Sequence, residues 1–274
     1  MLEIINTLRQ KAKQNLKTIV LPEGNDPRVR QAVEIIASEK IAKTIVLSPE
    51  NLDPQKYEAY AQEYFELRKH RGLSLTEAKQ MLKDPLYVAA MMVKMGDADG
   101  FVAGAANTTP DVVRAAIHCL GVDSKIGCAS SSFIMVVPDC DMGWGGTFVF
   151  ADCGVIPFPT AQELASIALA TADLAKTVLK VAPKVAMLSY STKGSAKGES
   201  VGKIREAIAL VKNAAPDLII DGELQVDSAI VSEVAKLKGG NDILNGEANV
   251  LIFPNLDAGN ISYKLVNRLG HARA

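Results

Sequence analysis

Cysteine, histidine, net charge and long apolar runs are all in short supply in this chain. The four cysteines, Cys119, Cys128, Cys140 and Cys153, form no CxxC pair, and no histidine stands at ligand spacing from them. That argues against a zinc site and against a disulfide framework, and predicts reduced thiols in a cytoplasmic protein. The formal net charge is −1, so nothing in the overall balance suits nucleic acid or an anionic membrane. Any anion must be held by a local cluster. The N-terminal stretch MLEIINTLRQKAKQNLKTIVLPEG is amphipathic and charged. Its apolar runs are too short for a signal peptide or a membrane span. Several motifs are missing as well. There is no GxxxxGK[ST] loop, no GxGxxG after a strand, no serine nucleophile elbow, no HExxH and no pair of metal-binding carboxylates. Nucleotide-loop, dinucleotide and metal-hydrolase chemistry therefore have no local support.

What is present is a long alternation of β-branched runs and helical periodicity. With 274 residues, 48% of them hydrophobic, the chain can build one large domain or two ordinary ones. Helical patterns cover Leu2–Asn15, Arg28–Glu39, Tyr57–His70, Ser74–Met95 and Asp111–Leu120. Between them, Lys17–Leu21, Thr44–Leu47 and Gly100–Gly104 read as strands. Further on, Ser131–Pro138 and Thr147–Ala151 lie close together without a helix between them, which predicts an antiparallel pair. Alternation then resumes: helix Thr160–Val181, strand Val185–Tyr190, helix Gly202–Ala214, strand Leu218–Asp221, helix Ala229–Leu237, strand Asn249–Phe253 and helix Asn260–Leu269. This is the pattern of an α/β protein with mainly parallel sheets. A boundary near Val122–Lys125 gives two α/β domains, residues 1–124 and 125–274.

Ligands of open α/β sheets bind beyond the carboxyl ends of the strands, and four such ends are polar here. After Gly100–Gly104 comes AANTTPDVVR. Thr108 or Thr109 can cap a helix that starts near Pro110, leaving N–H groups and the positive dipole end free for an anion, with Arg114 one turn inside. An ordinary cap with a surface arginine is the plainer local reading. After Val185–Tyr190 comes STKGSAKG, where Ser191, Thr192, Lys193, Gly194 and Ser195 can cradle a phosphate or carbonyl oxygen, or simply make a turn. The stretch ELRKHRG gathers Arg68, Lys69, His70 and Arg71 at a helix end, as a phosphate patch or as a basic last turn. Cys140 lies in the glycine-rich turn VPDCDMGWGG with no histidine nearby, which favours a structural thiol, and His118 and His271 belong to no constellation. The residues alone stop at a small-molecule enzyme without naming a reaction.

Taken together and in order, the stretches TIVLPEGNDPRVRQA, YFELRKHRGLSLTEA, MMVKMGDADGFVAGA, FIMVVPDC, TFVFADCGV, VAMLSYSTKGSA, PDLIIDGELQVDSAIV and NVLIFPNLDAGNISYKLVNRLG resemble the phosphate acetyltransferases of the phosphate acetyl/butyryltransferase family. The resemblance covers most of the chain. It implies reversible acetyl transfer between CoA and inorganic phosphate, with acetyl phosphate and acetyl-CoA as the acyl carriers of acetate metabolism. It also implies two domains flanking a cleft, a fold like that of isocitrate and isopropylmalate dehydrogenases, a cytoplasmic homodimer, and no tightly bound cofactor or metal. By position, Arg68 and Arg114 match the family's catalytic arginines, and Cys140 matches a thiol near the site. Thr108 and Thr109, Ser191–Ser195, Asn260 and Lys264 become the candidate substrate-binding residues.

Two departures qualify the match. Family members continue past LVNRLGHARA into a DLSRG segment whose Ser–Arg pair meets the thiol and the phosphate, with an Asp after it as base. No DLSRG occurs in these residues, so the resemblance assigns the base to none of them. The connection Leu47–Pro54 is also shorter than the family's. Three alternatives follow: a butyryl-specific or ethanolamine-pathway relative, a catalytically impaired CoA-binding homologue, and a dehydrogenase of similar fold.

Overall fold

Three helices of this protein begin with the same dipeptide, Asp-Pro. In each the aspartate caps the helix and the proline occupies the first turn. Asp26 accepts from the Arg28 N–H and starts α2, Pro27–Glu39; Asp53 accepts from Gln55 and starts α3, Pro54–Arg68; Asp84 accepts from Leu86 and starts α5, Pro85–Lys94. Proline lacks an N–H that the first turn would leave unsatisfied anyway, so the pair is a strong start signal. These features come from a computed structural model. It describes residues 2–47, 53–124, 126–238 and 243–274. Residues 48–52, within the short Leu47–Pro54 connection, and Lys125, at the expected boundary, lie outside the described residues. The chain divides into two compact units, Leu2–Val122 and Asp123–Ala274.

The first unit opens with α1, Leu2–Gln14, and holds a three-stranded parallel sheet in the order β2-β1-β3. Its strands are β1, Thr18–Leu21, β2, Lys43–Val46, and β3, Gly100–Phe101. Its core is largely helical. Tyr64, Leu82, Leu86 and Met91 are fully buried, each contributing roughly 2 kcal/mol of apolar transfer. The helix expected over Ser74–Met95 is two helices, α4, Leu75–Met81, and α5. Pro85 cannot continue the hydrogen-bond ladder, and it starts α5 instead. The strand expected over Gly100–Gly104 ends at Phe101; Val102 still donates to the Val20 carbonyl at 3.0 Å, and from Gly104 onward the N–H groups go to the Glu23 side chain. The helix α6, Thr109–Leu120, closes this unit.

The second unit carries a five-stranded sheet in the order β4-β5-β8-β6-β7. Its strands are β4, Ser132–Val136, β5, Thr147–Ala151, β6, Lys184–Leu188, β7, Ile219–Leu224, and β8, Val250–Ile252. β4 runs antiparallel to β5, as the missing crossover helix predicts, and the other pairings are parallel. A single distorted turn, α7, Met142–Gly145, lies in the β4–β5 connection. The helices α8, Ala161–Leu174, and α9, Glu199–Ala214, pack together, and α8 ends in a π-helical turn, Ala175–Leu179. The helix expected over Ala229–Leu237 is split at the extended Val231 into α10, Val226–Ile230, and α11, Ser232–Lys238. Strand β7 runs three residues past the expected Asp221, so GEL belongs to the sheet and not to a loop. The last helix, α12, Leu256–Leu269, approaches the end of β5 closely at Gly259. A Cβ there would stand 2.2 Å from the Asp152 carbonyl oxygen, which leaves room only for glycine. Because β5, β8, β6 and β7 are parallel, the segments that follow them emerge along one edge of the sheet.

Candidate active site

In the first unit the loop after β3 is built around a carboxylate. Glu23 follows β1 and is buried. It accepts the backbone N–H groups of Gly104, Ala105, Ala106 and Asn107 at 2.8–2.9 Å, and the Asn107 side-chain amide at 2.8 Å. Burial alone raises the pKa of such a group; these donors outweigh it and hold Glu23 below the ordinary value. These N–H groups lie in the loop just before the helix start that the sequence singles out, and they are filled by the protein's own side chain. Asp26 and Arg28 tie the loop from the other side. The Arg28 guanidinium pairs with Asp26 at 2.7 and 3.0 Å and also donates to the Ala105 carbonyl. That bonding pulls the Asp26 pKa down to about 2.

Thr108, rather than Thr109, caps α6. Its hydroxyl accepts from the Asp111 N–H at 3.4 Å and donates to the Asp111 carboxylate at 2.6 Å. Arg114 lies on the exposed face of α6 and pairs with Asp111 at 2.8 Å. Arg68 ends α3, with Lys69–Arg71 forming a 3-10 turn after it and Lys69 paired with Glu66. The two arginines share neighbours. His118 of α6 places Nδ1 3.3 Å from the Tyr87 hydroxyl and 3.5 Å from that of Tyr64. Burial pushes the His118 pKa down, and the charges of Arg68 and Arg114 push it further. So His118, which the sequence leaves without a constellation, joins a tyrosine pair within electrostatic reach of the candidate arginines. Cys119 beside it is a buried thiol raised to about 12 by desolvation.

In the second unit the Ser191–Ala196 loop follows β6. Ser191 and Thr192 are buried and turn their hydroxyls inward: Ser191 Oγ donates to Glu223 at 2.9 Å, and Thr192 Oγ1 accepts from the Gln225 N–H at 3.0 Å. The N–H of Gly194 also goes to Glu223, at 2.8 Å, and the Lys193 ammonium pairs with Asp221. Lys193, Gly194 and Ser195 are the exposed residues of the loop, although the Lys193 ammonium reaches back to Asp221. Asn260, in the first turns of α12, donates to the Cys153 carbonyl at 3.0 Å and so ties α12 to the end of β5. Lys264 is exposed, with Nζ 5.8 Å from the Tyr263 ring centroid, and Tyr263 stacks on Phe133 of β4. Cys140 lies elsewhere. It sits in the β4–β5 connection, at the end of the sheet opposite the Ser191–Ala196 loop, half-buried against the core. The structure does not bring it together with that loop. A cavity of about 900 Å³ opens at that far end, lined by Trp144, Lys180, Lys184 and Glu247 among others. All four cysteines are free thiols. Among the described residues no cluster of His, Cys, Asp or Glu could hold a metal ion, and no helix is long and apolar enough to cross a membrane.

A family model described as phosphate acetyl/butaryl transferase matches residues 3–274 of this sequence. The chain belongs to that family, and with it to the acyltransferases. A phosphate acetyltransferase of Thermoanaerobacterium thermosaccharolyticum is 48% identical to this family member over 100% of the chain and 89% of the relative. Among solved structures, a phosphotransacetylase from Streptococcus pyogenes superposes with a TM-score of 0.89 at 37% identity, covering 99% of this chain and 87% of that one. The EutD phosphotransacetylase from Staphylococcus aureus follows with 0.86 at 36% identity, covering 99% and 88%. Sequence reading of this family member missed Glu23, Asp221, Glu223 and His118. A signal was present for the two β7 carboxylates, since acidic residues closing an apolar run either face water or are buried against a cation. For Glu23 there was none, because its partners lie more than 80 residues away.

Proposed function

We propose that this chain is a phosphate acetyltransferase, moving an acetyl group reversibly between CoA and inorganic phosphate. The full-length 48% identity to an enzyme of that name carries the reading. Toward acetyl-CoA, the CoA thiolate attacks the acetyl carbonyl of acetyl phosphate. The C–S bond forms, the C–O bond to phosphorus breaks, and phosphate leaves with the electron pair; the thiol proton ends on the departing phosphate. A thiol with a pKa of about 8.5 needs help to ionise at neutral pH, and two polyanionic substrates need fixed positive charge.

Arg68 and Arg114 supply that charge. Thr108 and Thr109 shape the α6 start. Lys193, Gly194 and Ser195 face the substrate, while Ser191 and Thr192 hold their loop from inside. Asn260 and Lys264 complete the binding set, and Cys140 has no step. The two units are read as the family's two domains, residues 1–124 and 125–274. The protein is read as a cytoplasmic homodimer with no tightly bound cofactor.

The test is thioester formation by the purified, folded chain from CoA and acetyl phosphate, with butyryl phosphate run beside it. Faster turnover of acetyl phosphate supports the reading. A preference for butyryl phosphate moves the chain to the butyryl branch. CoA binding by calorimetry with a flat assay marks a CoA-binding homologue without turnover.

A further inference from the structure

Two carboxylates on β7 grip the loop that follows β6. Glu223 is 1% exposed. Its side chain accepts from the Ser191 hydroxyl at 2.9 Å, from the Gly194 N–H at 2.8 Å and from Arg205 Nε and Nη2 at 2.8 and 3.0 Å. Its backbone carbonyl takes the Lys193 N–H at 3.1 Å. Asp221, two residues earlier on β7, is also buried and accepts from Gly222, from Ile243 and from the Lys193 ammonium. The loop is thus fixed at three successive places, at Ser191, Lys193 and Gly194.

Its backbone there is unusual. Lys193 and Gly194 both adopt left-handed conformations, with φ of 48° and 91°. That region is disfavoured for a lysine and persists where the surroundings impose it. A buried charge is costly unless every lone pair is partnered, and here the partners come from the loop and from Arg205. The loop also closes on itself, with the Ser195 N–H on the Thr192 carbonyl at 3.0 Å, and Glu223 adds a buried hub that an ordinary surface turn does not require.

We propose that Glu223 is a positioning residue for acyl transfer. It touches no substrate; it holds the Ser191–Ala196 loop in its substrate-ready form, and Arg205 is the countercharge that keeps it ionised. This rests on the reading of that loop as part of the acetyltransferase site. Releasing the loop makes the substrate supply its ordering, so the effect falls on KM. A merely structural role lowers the folded fraction instead, which reduces kcat and leaves KM unchanged.

The test compares the unaltered chain with Glu223→Gln, Arg205→Gln and Arg205→Lys, using two readouts. One is the rate at which trypsin nicks the folded protein after Lys193 and Lys197. The other is KM and kcat for acetyl phosphate. Glu223→Gln is expected to raise both the nicking rate and KM about tenfold, equivalent to one lost charge-assisted hydrogen bond, with kcat nearly kept. Arg205→Gln, on the half-exposed side of the pair, is expected to shift both the same way, and it serves where Glu223→Gln fails to fold. Arg205→Lys should restore most of both. Nicking and KM that stay at the unaltered values overturn the proposal, as does faster nicking with unchanged KM. An unaltered chain that forms no thioester overturns the acetyltransferase reading separately, and the nicking rate then decides alone whether Glu223 holds the loop.

Discussion

Asn107 meets the Glu23 carboxylate twice, through its backbone N–H and through its side-chain amide, each at 2.8 Å. With the N–H groups of Gly104, Ala105 and Ala106 this makes five donors on one carboxylate. Such a concavity of N–H groups is what proteins use to bind phosphate. Here it is filled from within, and its role is to aim the start of α6 and Arg114.

Removing Glu23 therefore strands several partly buried donors at once. Glu23→Ala is expected to destabilise the protein by roughly 3 kcal/mol, seen as a lower urea midpoint with an unchanged slope. An unchanged midpoint would show that water replaces the carboxylate without loss. The sign with pH follows from the lowered pKa of Glu23. Its contribution is complete above the ordinary value of 4.5 and is lost as pH falls through the lower folded value.

Glu223 gives a sharper acid prediction. Burial raises its pKa, but Arg205, the Gly194 N–H and Ser191 bring it down to about 2 from 4.5. The group thus adds on the order of 3 kcal/mol above pH 4.5, lost progressively toward pH 2. Urea midpoints of the unaltered chain and Glu223→Gln should differ most at pH 7, and the gap should narrow by about half at pH 3. A gap that is the same at both pH values would mean that the Glu223 charge is not what stabilises the fold.

The sequence made the alternation of strand and helix legible, because each element carries its own periodicity, and its starts were marked by Asp26-Pro27 and Thr108. It misjudged elements wherever a distant partner decided the outcome. Gly104 leaves the strand for Glu23, and Asp221 and Glu223 stay inside β7 because Lys193 and Arg205 neutralise them. Asp84-Pro85 marked a helix start that the helical pattern on both sides concealed. Local sequence offered the STKGSA loop as a candidate cradle or a plain turn. It could not show that Ser191 and Thr192 point inward, since that depends on β7 lying beside β6.

The two candidate arginines can be followed through a histidine. His118 feels burial first, then Arg68 and Arg114, and all three lower its pKa. Arg114→Ala should therefore raise the His118 pKa in an NMR titration, with His70 and His271 as internal references. The same variant should weaken binding of CoA or acetyl phosphate about tenfold or more, as loss of a charged contact to an anion does. An unmoved His118 resonance would mean that the guanidinium is too far away to be felt. Unchanged kinetic constants would remove Arg114 from the site. Cys140→Ala, by contrast, should keep most of the activity, since Cys140 lies at the opposite end of the sheet from the Ser191–Ala196 loop.

Two helical glycines test the packing of the second unit with opposite signs. In a helix interior, alanine in place of glycine ordinarily stabilises by about 1 kcal/mol, because the unfolded chain has less freedom to lose. Gly202 in α9 has open space around a new Cβ, so Gly202→Ala should show that gain. Gly259 in α12 does not. Its Cβ would meet the Asp152 carbonyl oxygen at 2.2 Å and the Cys153 sulfur at 3.1 Å. Accommodating it requires α12 to back away from the end of β5, which breaks the Asn260 bond to the Cys153 carbonyl. Overpacking of this kind costs about 2 kcal/mol and outweighs the helical gain. Gly259→Ala should therefore lower the thermal midpoint where Gly202→Ala raises it, both read by circular dichroism. If both raise it, α12 yields freely at that contact, and Asn260 is then not held in place by the close approach of α12 to β5.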